Sequence, residues 1–381
     1  MTEEKRKICV DCRFLSENIT GIARFTLMFL KGILNPACSE KNSFKFILLL
    51  KKGTEAVLNE YVKGGFDYFI FEGEPFGFYE QFYLPWFILK ENIDLYYSPY
   101  TNIPFFSGAK KVITIHDLIP LTNPEYVKGT KKYKFRKIFE FYNRIAVDKA
   151  DAVLTVSKKS RKDILNIFGD NYREKVKVVK EGVEILKTNQ PVSENIANIC
   201  SKKYILYVGR QDPYKNILSL IKAFSLLSEN FSDLFLVITG KKDERFFPEI
   251  KSEIEKLHLD DYVFFTDFIN DEELDCLYKN AVCLVNPSFD EGFGLTPLEC
   301  VIRGCPYCVS DIEINREILK DSALYFNPEN IEDIANTIKR YIVDENLRKS
   351  YCEKGKKIAK IYTPENMAGD ILKVFKNVLS S

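Results

Sequence analysis

Apolar residues along this chain fall into short runs, and between the runs they recur at helical spacing. The runs at 6–11, 44–50, 67–71, 94–97, 110–115, 152–156 and 176–180 predict strands in the first half. Those at 203–209, 233–239, 262–265, 282–285, 306–309 and 323–326 predict strands in the second. The stretches 21–32, 130–149, 158–168, 217–228, 271–279, 330–342 and 363–378 predict helices. Strand and helix in alternation predict an α/β protein with parallel sheets covered on both faces. The polar stretch KTNQPVSENIANICSKK, 187–203, carries Pro191 and interrupts the alternation. It divides the chain into two doubly wound domains, 1–190 and 200–360, with a closing helix in 361–381 expected to pack back toward the first. Such domains bind ligands at the carboxyl ends of their strands, and two of them facing each other would form a deep cleft.

The loops after strands are therefore the places to look for chemistry. The first reads DCRFLSENITGIARF. A dinucleotide-binding turn would have GxGxxG here, whereas this loop has one glycine, Gly21, which argues against a nicotinamide or flavin enzyme. A glycine at a helix start lets backbone N–H groups approach an anion, and a plain turn glycine is the alternative. VITIHDLIP puts His116 and Asp117 directly after a buried strand, where a histidine is either structural or faces a ligand. In YILYVGRQDPYKN a strand ends at Gly209, Arg210 follows, and Lys215 opens a helix with Asn216 as its cap. A planar guanidinium and a point-charge ammonium together suit a diphosphate; two solvated cations are the alternative.

The fourth loop is NPSFDEGFGLTPLEC, 286–300, in which Glu291 and Glu299 bracket the turn Gly292-Phe293-Gly294. Thr296-Pro297-Leu298-Glu299 reads as a capping box, which gives Glu299 a structural job. Glu291 has no such duty. A helix start favours phosphate, and carboxylates accept pairs of hydroxyls, so the loop fits a nucleotide sugar.

Composition narrows the choice. A chain of 381 residues exceeds one ordinary core, and a net charge of +1 provides no overall field for nucleic acid. The opening MTEEKRKICVDCRFL passes from charges straight into a strand, and no apolar run approaches the ~18 residues that span a bilayer. A cytoplasmic location is expected. Ten cysteines are scattered, and the pair Cys305 and Cys308 lacks a second ligand pair, so they read as small packing residues; two histidines exclude a multi-histidine zinc site. The stretch 128–145 is basic, with Phe135, Ile138, Phe139 and Tyr142 at helical spacing. That predicts an aromatic face in the core with a solvated basic side, or a patch that meets anionic lipid on the inner face of the membrane.

Taken together, these segments resemble the retaining glycosyltransferases of family 4, with the GT-B fold of two Rossmann-like domains. TGIARF at 20–25 looks like the family's glycine loop, IHDLIP at 115–120 its histidine loop, and VGRQDPYKN at 208–216 its phosphate clamp. GFGLTPLE between the two glutamates, LVITGKKD, FTDFINDEELDCLYKNA and GCPYCVSDIEINREIL also match in order. The resemblance implies roles. Glu291 would bind donor-sugar hydroxyls and Glu299 the ribose. Gly292, Phe293, Gly294, Leu295 and Thr296 would lie near sugar and phosphates, with Gly209 in the same donor set. Arg210 and Lys215 would neutralise the diphosphate, Gly21 would approach it, and His116 with Asp117 would sit beside donor sugar and acceptor. It implies retention without a metal or other cofactor, a nucleoside-diphosphate hexose as donor, and a saccharide or lipid-linked saccharide as acceptor in cell-surface polysaccharide synthesis. The TGIxR opening is similar to that of bacterial mannosyl- and rhamnosyltransferases, which points to GDP-mannose. Two positions depart from the family: Ala23, where relatives often have a second glycine, and Lys180-Glu181, where many have Pro-Asn, so Glu181 receives no role. An epimerase or phosphorylase of the same fold and a silent sugar-binding protein are the competing classes. A phosphorylase would need a pyridoxal lysine, which no flanking pattern singles out.

Overall fold

A computed structural model describes residues 5–15, 21–36, 38–61, 66–185 and 190–381. Seven strands form one sheet: β1 (Arg6–Asp11), β2 (Phe44–Leu50), β3 (Asp67–Ile70), β4 (Leu95–Ser98), β5 (Lys110–Ile115), β6 (Ala152–Thr155) and β7 (Val176–Val178). Six form another: β8 (Lys203–Val208), β9 (Leu234–Thr239), β10 (Val263–Asp267), β11 (Cys283–Asn286), β12 (Tyr307–Ser310) and β13 (Leu324–Phe326). Each lies on a run that the hydrophobic pattern predicts. All the neighbouring strands are paired in parallel. Central strands such as KYILYV are apolar throughout because helices cover both faces.

The strand orders are β3-β2-β1-β4-β5-β6-β7 and β10-β9-β8-β11-β12-β13. Both reverse direction beside the first strand of their sheet, so a crevice opens at the carboxyl ends of β1 and β4, and another at those of β8 and β11.

The chain folds into two compact units. The first takes residues up to Thr122, then Lys131–Gly182 and Tyr362–Ser381; the second takes Asn123–Thr130 and Val183–Ile361. The polar break expected at 187–203 begins in residues outside the described set, and its later part forms the helix Glu194–Cys200. In the first unit the C-terminal helix Pro364–Ser380 lies against the helix Gly21–Leu34. A Cβ on Gly32 would stand 2.0 Å from the Pro364 carbonyl oxygen, so only glycine allows this approach. Phe375 completes the contact, edge-on to Phe29 and Tyr97 at 6.1 and 5.1 Å.

One expectation needs correction. The predicted helix 130–149 is broken at Phe135 into Lys131–Lys134 and Arg136–Lys149. After the break Asn143, Ala146 and Val147 face the core, Phe139 packs against it and Tyr142 is half-buried, but Phe135 and Ile138 are exposed, so the face expected to be buried is only partly so.

The crevice of the first unit is filled by a buried ion network. Arg13 donates to Asp11 (Nε–Oδ1 2.9 Å, Nη2–Oδ2 2.6 Å), to Glu80 (2.6 Å) and to the Gly73 carbonyl (3.1 Å). Asn102 Nδ2 and Tyr96 Oη donate to Asp11 Oδ2, each at 2.6 Å. Burial alone would raise the Asp11 carboxyl, but the Arg13 charge and these hydrogen bonds hold it below its ordinary value. Burial pushes Glu80 above its ordinary value, with Arg13 lowering it and Asp11 raising it. One guanidinium thus serves two buried carboxylates, and removing it leaves both without a cation. Arg13→Met is expected to lower the unfolding free energy at neutral pH by about 3–5 kcal/mol in urea titration. Adding Glu80→Gln should recover part of the loss; an Arg13→Met protein as stable as wild type would contradict this account.

Candidate functional site

The second unit assembles its predicted residues at the β8/β11 crevice. β8 delivers Gly209 and Arg210, and the Arg210 carbonyl accepts from Tyr207 Oη at 2.6 Å. The Arg210 guanidinium forks onto Asp212 (Nε–Oδ2 2.9 Å, Nη2–Oδ1 3.2 Å); its side chain is 58% exposed while the Asp212 side chain is buried. Lys215 closes a short 3₁₀ turn, Pro213–Lys215. Asn216 follows with φ +57° and makes no side-chain cap; its Nδ2 instead donates to the carbonyls of Pro287 and Pro328 at 3.1 and 2.9 Å. The cap expected from its type is therefore replaced by a tie between the loops after β11 and β13.

β11 delivers the loop that carries Glu291, and Lys215 Nζ donates to both of its carboxylate oxygens at 2.7 and 2.8 Å. Glu291 Oε1 is also met by Ser288 Oγ at 2.8 Å and accepts from Asn286 Nδ2 at 3.4 Å. Asn286 Oδ1 in turn accepts from the Ser288 hydroxyl and N–H, a local turn that fixes the loop. Burial alone would lower the Lys215 ammonium, but the Glu291 carboxylate more than offsets this and holds it well above its ordinary value. A raised lysine loses its contribution only as pH climbs through the folded-state value, so the Lys215 ammonium keeps its charge across the neutral range.

The turn after Glu291 ends at Gly294, whose φ of +88° suits glycine. The helix Leu295–Ile302 starts directly after it, with no side-chain cap. The predicted capping box is absent, because the left-handed glycine starts the helix before Thr296 can act as a cap. Thr296 and Pro297 lie in the first turn, where a missing proline N–H costs nothing, and Glu299 is buried one turn further on. The N–H groups of Leu295 and Thr296 precede the first intrahelical hydrogen bond. Gly292 is half-buried and Phe293 buried.

Several residues at this crevice escaped the sequence reading. Asp212, Asn286 and Ser288 orient the charged groups. The stretch Asn123–Thr130 packs here within the second unit: Tyr126 stacks on Tyr214 and Phe289 at 6.5 and 6.0 Å, and Asn123 Nδ2 donates to Asp290 Oδ2 at 2.8 Å. Asn286 and Ser288 carried a signal, a polar pair around a proline at a strand end; Asn123–Thr130 carried none.

The first unit holds the remaining predicted residues. Gly21 is the first residue of its helix, and a Cβ there would meet nothing within 4 Å. Thr20, before it, lies outside the described residues. His116 follows β5, half-buried, with Nε2 2.9 Å from the Pro99 carbonyl and its ring edge-on to Phe25 at 4.7 Å. A carbonyl only accepts, so Nε2 carries the proton. Burial lowers the imidazole below its ordinary value, against the smaller raising effects of Pro99 and Asp117, so the ring is neutral at pH 7 and Nδ1 is an acceptor. Asp117 Oδ1 accepts from the Ile119 N–H at 3.2 Å. Cys305 and Cys308 are buried, and among the described residues no group of three His, Cys, Asp or Glu side chains is arranged to hold a metal. Among those same residues, no helix is long and apolar enough to cross a membrane.

The family described as Glycosyl transferases group 1 matches residues 190–358, and the one described as Glycosyltransferase Family 4 matches residues 46–185. The chain is 30% identical over 241 residues to the O-antigen chain mannosyltransferase RfbU of Salmonella typhimurium, a match covering 61% of this chain and 63% of that protein, just under two thirds of its length. It is 27% identical over 292 residues to O-antigen chain mannosyltransferase B of Escherichia coli, covering 74% of each. The fold matches the crystal structure of a glycosyltransferase from Rickettsia africae with a TM-score of 0.74, at 18% identity, over 99% of both chains. Motif order, sheet topology and these matches together make the chain a member of glycosyltransferase family 4, with the GT-B fold of two Rossmann-like units.

Proposed function

We propose that the chain is a retaining glycosyltransferase that moves a hexose from a nucleoside-diphosphate sugar to a saccharide or lipid-linked saccharide during cell-surface polysaccharide synthesis. The observation that carries the proposal is the Lys215–Glu291 pair, set beside Arg210 and a helix start at the β8/β11 crevice. GDP-mannose is the proposed donor, on the TGIxR opening and on relatives named as O-antigen chain mannosyltransferases.

In this reading Glu299 holds the ribose and Glu291 positions the sugar hydroxyls. Lys215 already occupies both Glu291 oxygens, so the two side chains act as one unit: the ammonium faces phosphate while the carboxylate keeps lone pairs for hydroxyls. Arg210 is exposed and paired with Asp212, and it turns from that carboxylate to the diphosphate. As the glycosidic bond breaks, charge grows on the leaving nucleoside diphosphate. Arg210, Lys215 and the N–H groups at Leu295 and Thr296 stabilise it. Transfer proceeds on the front face through an oxocarbenium-like state, and the departing phosphate oxygen takes the acceptor's proton, so no strong base and no metal is required. In the first unit, Gly21 is proposed to serve the phosphates, and neutral His116, with Asp117, the sugar and acceptor.

Incubation with GDP-mannose and a polysaccharide-type acceptor should release GDP and give a product of retained anomeric configuration. Arg210→Ala should lower kcat about a hundredfold, the equivalent of roughly 3 kcal/mol of leaving-group stabilisation, with little change in unfolding. Near-normal kcat would remove Arg210 from the mechanism. Glu299→Gln should mainly raise the donor KM; an unchanged KM with lost kcat would reverse its assignment. Lys215→Met should lose both turnover and about 3 kcal/mol of stability, because Glu291 is left buried without its cation. Lys215→Met with Glu291→Gln should regain stability but not turnover, and recovery of turnover would make the pair merely structural.

A further inference from the structure

The helix Phe78–Lys90 has an unusual outer face. Its inner side, with Leu84, Phe87 and Ile88, packs on the sheet of the first unit. On the outer side Phe78 and Leu89 are each 76% exposed, Phe82 60% and Trp86 48%. Phe78 and Phe82 stack at 4.3 Å, and Tyr83 lies against Trp86 at 5.1 Å. The helix has one acid, Glu80, and it is buried in the Arg13 network; its one exposed charge is Lys90, whose ammonium sits 5.0 Å over the Trp86 ring. A helix face in contact with water normally carries charges, so a face made of aromatics marks a contact surface.

The surface continues onto the exposed side of the broken helix described above. Tyr142 packs edge-on to Phe76 at 4.8 Å and lies 5.6 Å from Phe105, and Gln81 binds the Ile103 carbonyl and the Phe105 N–H at 2.9 Å. These contacts set the start of the aromatic helix, the loop bearing exposed Phe106, and the helix bearing exposed Ile138 and Phe141 side by side within one unit. Lys131, Lys134 and Lys137 are exposed on that last segment. Glu140 is its only acid before Arg144, and pairs with it.

We propose that this surface seats the protein on an anionic phospholipid membrane, with the aromatic helix at the acyl boundary and the lysines against the headgroups. Tyr and Trp rings suit that boundary, and a basic flank supplies the attraction to acidic lipid. A two-fold contact with a second copy fits less well, because the lysines would meet their own counterparts. The sequence placed the contact at 128–145; the structure moves its apolar part to Phe78–Leu89, where no basic cluster advertised it. The proposal is independent of the donor reading, since binding is measured without nucleotide or acceptor.

Trp86 is the single tryptophan of the chain, so its fluorescence reports on this face alone. The full chain is mixed with vesicles of phosphatidylcholine, alone or with phosphatidylglycerol, at low and high salt. With the anionic vesicles, Trp86 emission should shift to the blue and be quenched by brominated acyl chains, and high salt should weaken both effects. The exposed pair Phe78→Ser with Phe82→Ser should lower partitioning by about tenfold or more, and Lys134→Glu with Lys137→Glu should do so on anionic vesicles only. Unchanged Trp86 emission with both vesicle types overturns the proposal. So does a dimer in solution that Phe82→Ser dissociates, which would assign the face to a second copy.

Discussion

A parallel strand cannot turn back on its neighbour. Each must be returned to the starting edge by a helix, and so every strand of a sheet hands its next loop to the same edge. That constraint organises both units. Where the strand order reverses, the helices leave on opposite faces and the loops part, and each of the two crevices so formed holds a cluster of charged side chains. One, between β1 and β4, is closed by the Arg13 network; the other, between β8 and β11, collects Arg210, Lys215 and Glu291.

The contrast between these crevices is instructive. In the first, one arginine is shared by two buried carboxylates and every group points inward, so the charges serve the loop after β1 that leads toward Gly21. In the second, the charges are paired but one member stays reachable. The Arg210 side chain is mostly exposed while its Asp212 partner is buried, and Lys215 shares Glu291 with Ser288 and Asn286. Buried ion pairs contribute little net stability. On the proposed reading, their value lies in holding cations and carboxylates in fixed positions before a ligand arrives, the preorganisation that electrostatic catalysis needs.

Much of this was legible in the sequence. The alternation of runs and helical faces placed all the strands of both sheets, because fully covered parallel strands must be continuously apolar. Arg210, Lys215 and Glu291 stood out because charges in the loops after buried strands had no packing or capping duty there, whereas Glu299 was read as part of a capping box. The errors have physical causes. Asn216 and Thr296 have the composition of caps, but Asn216 turns left-handed to tie two loops, and the left-handed Gly294 starts the helix before Thr296 can cap it. Phe135 and Ile138 fit a core-facing period that the break at Phe135 turns outward. The helix Phe78–Lys90 was invisible because it is apolar nearly all round, so it shows no polar face to set its period. The seat of Asn123–Thr130 in the second unit depends on Tyr126 finding Tyr214 and Phe289, a long-range contact that no local pattern encodes.

The central claim is that the β8/β11 crevice is built for a nucleoside diphosphate, and thermal unfolding with GDP, UDP, ADP and dTDP, each without added metal, tests it most directly. A ligand at a hundred times its dissociation constant adds about 2.7 kcal/mol to the state that binds it, a shift well within reach of the measurement. The account predicts stabilisation by GDP, weaker effects from the other three, and loss of the GDP effect in Arg210→Ala. No stabilisation by any of the four, or the same stabilisation with Arg210 removed, would contradict it.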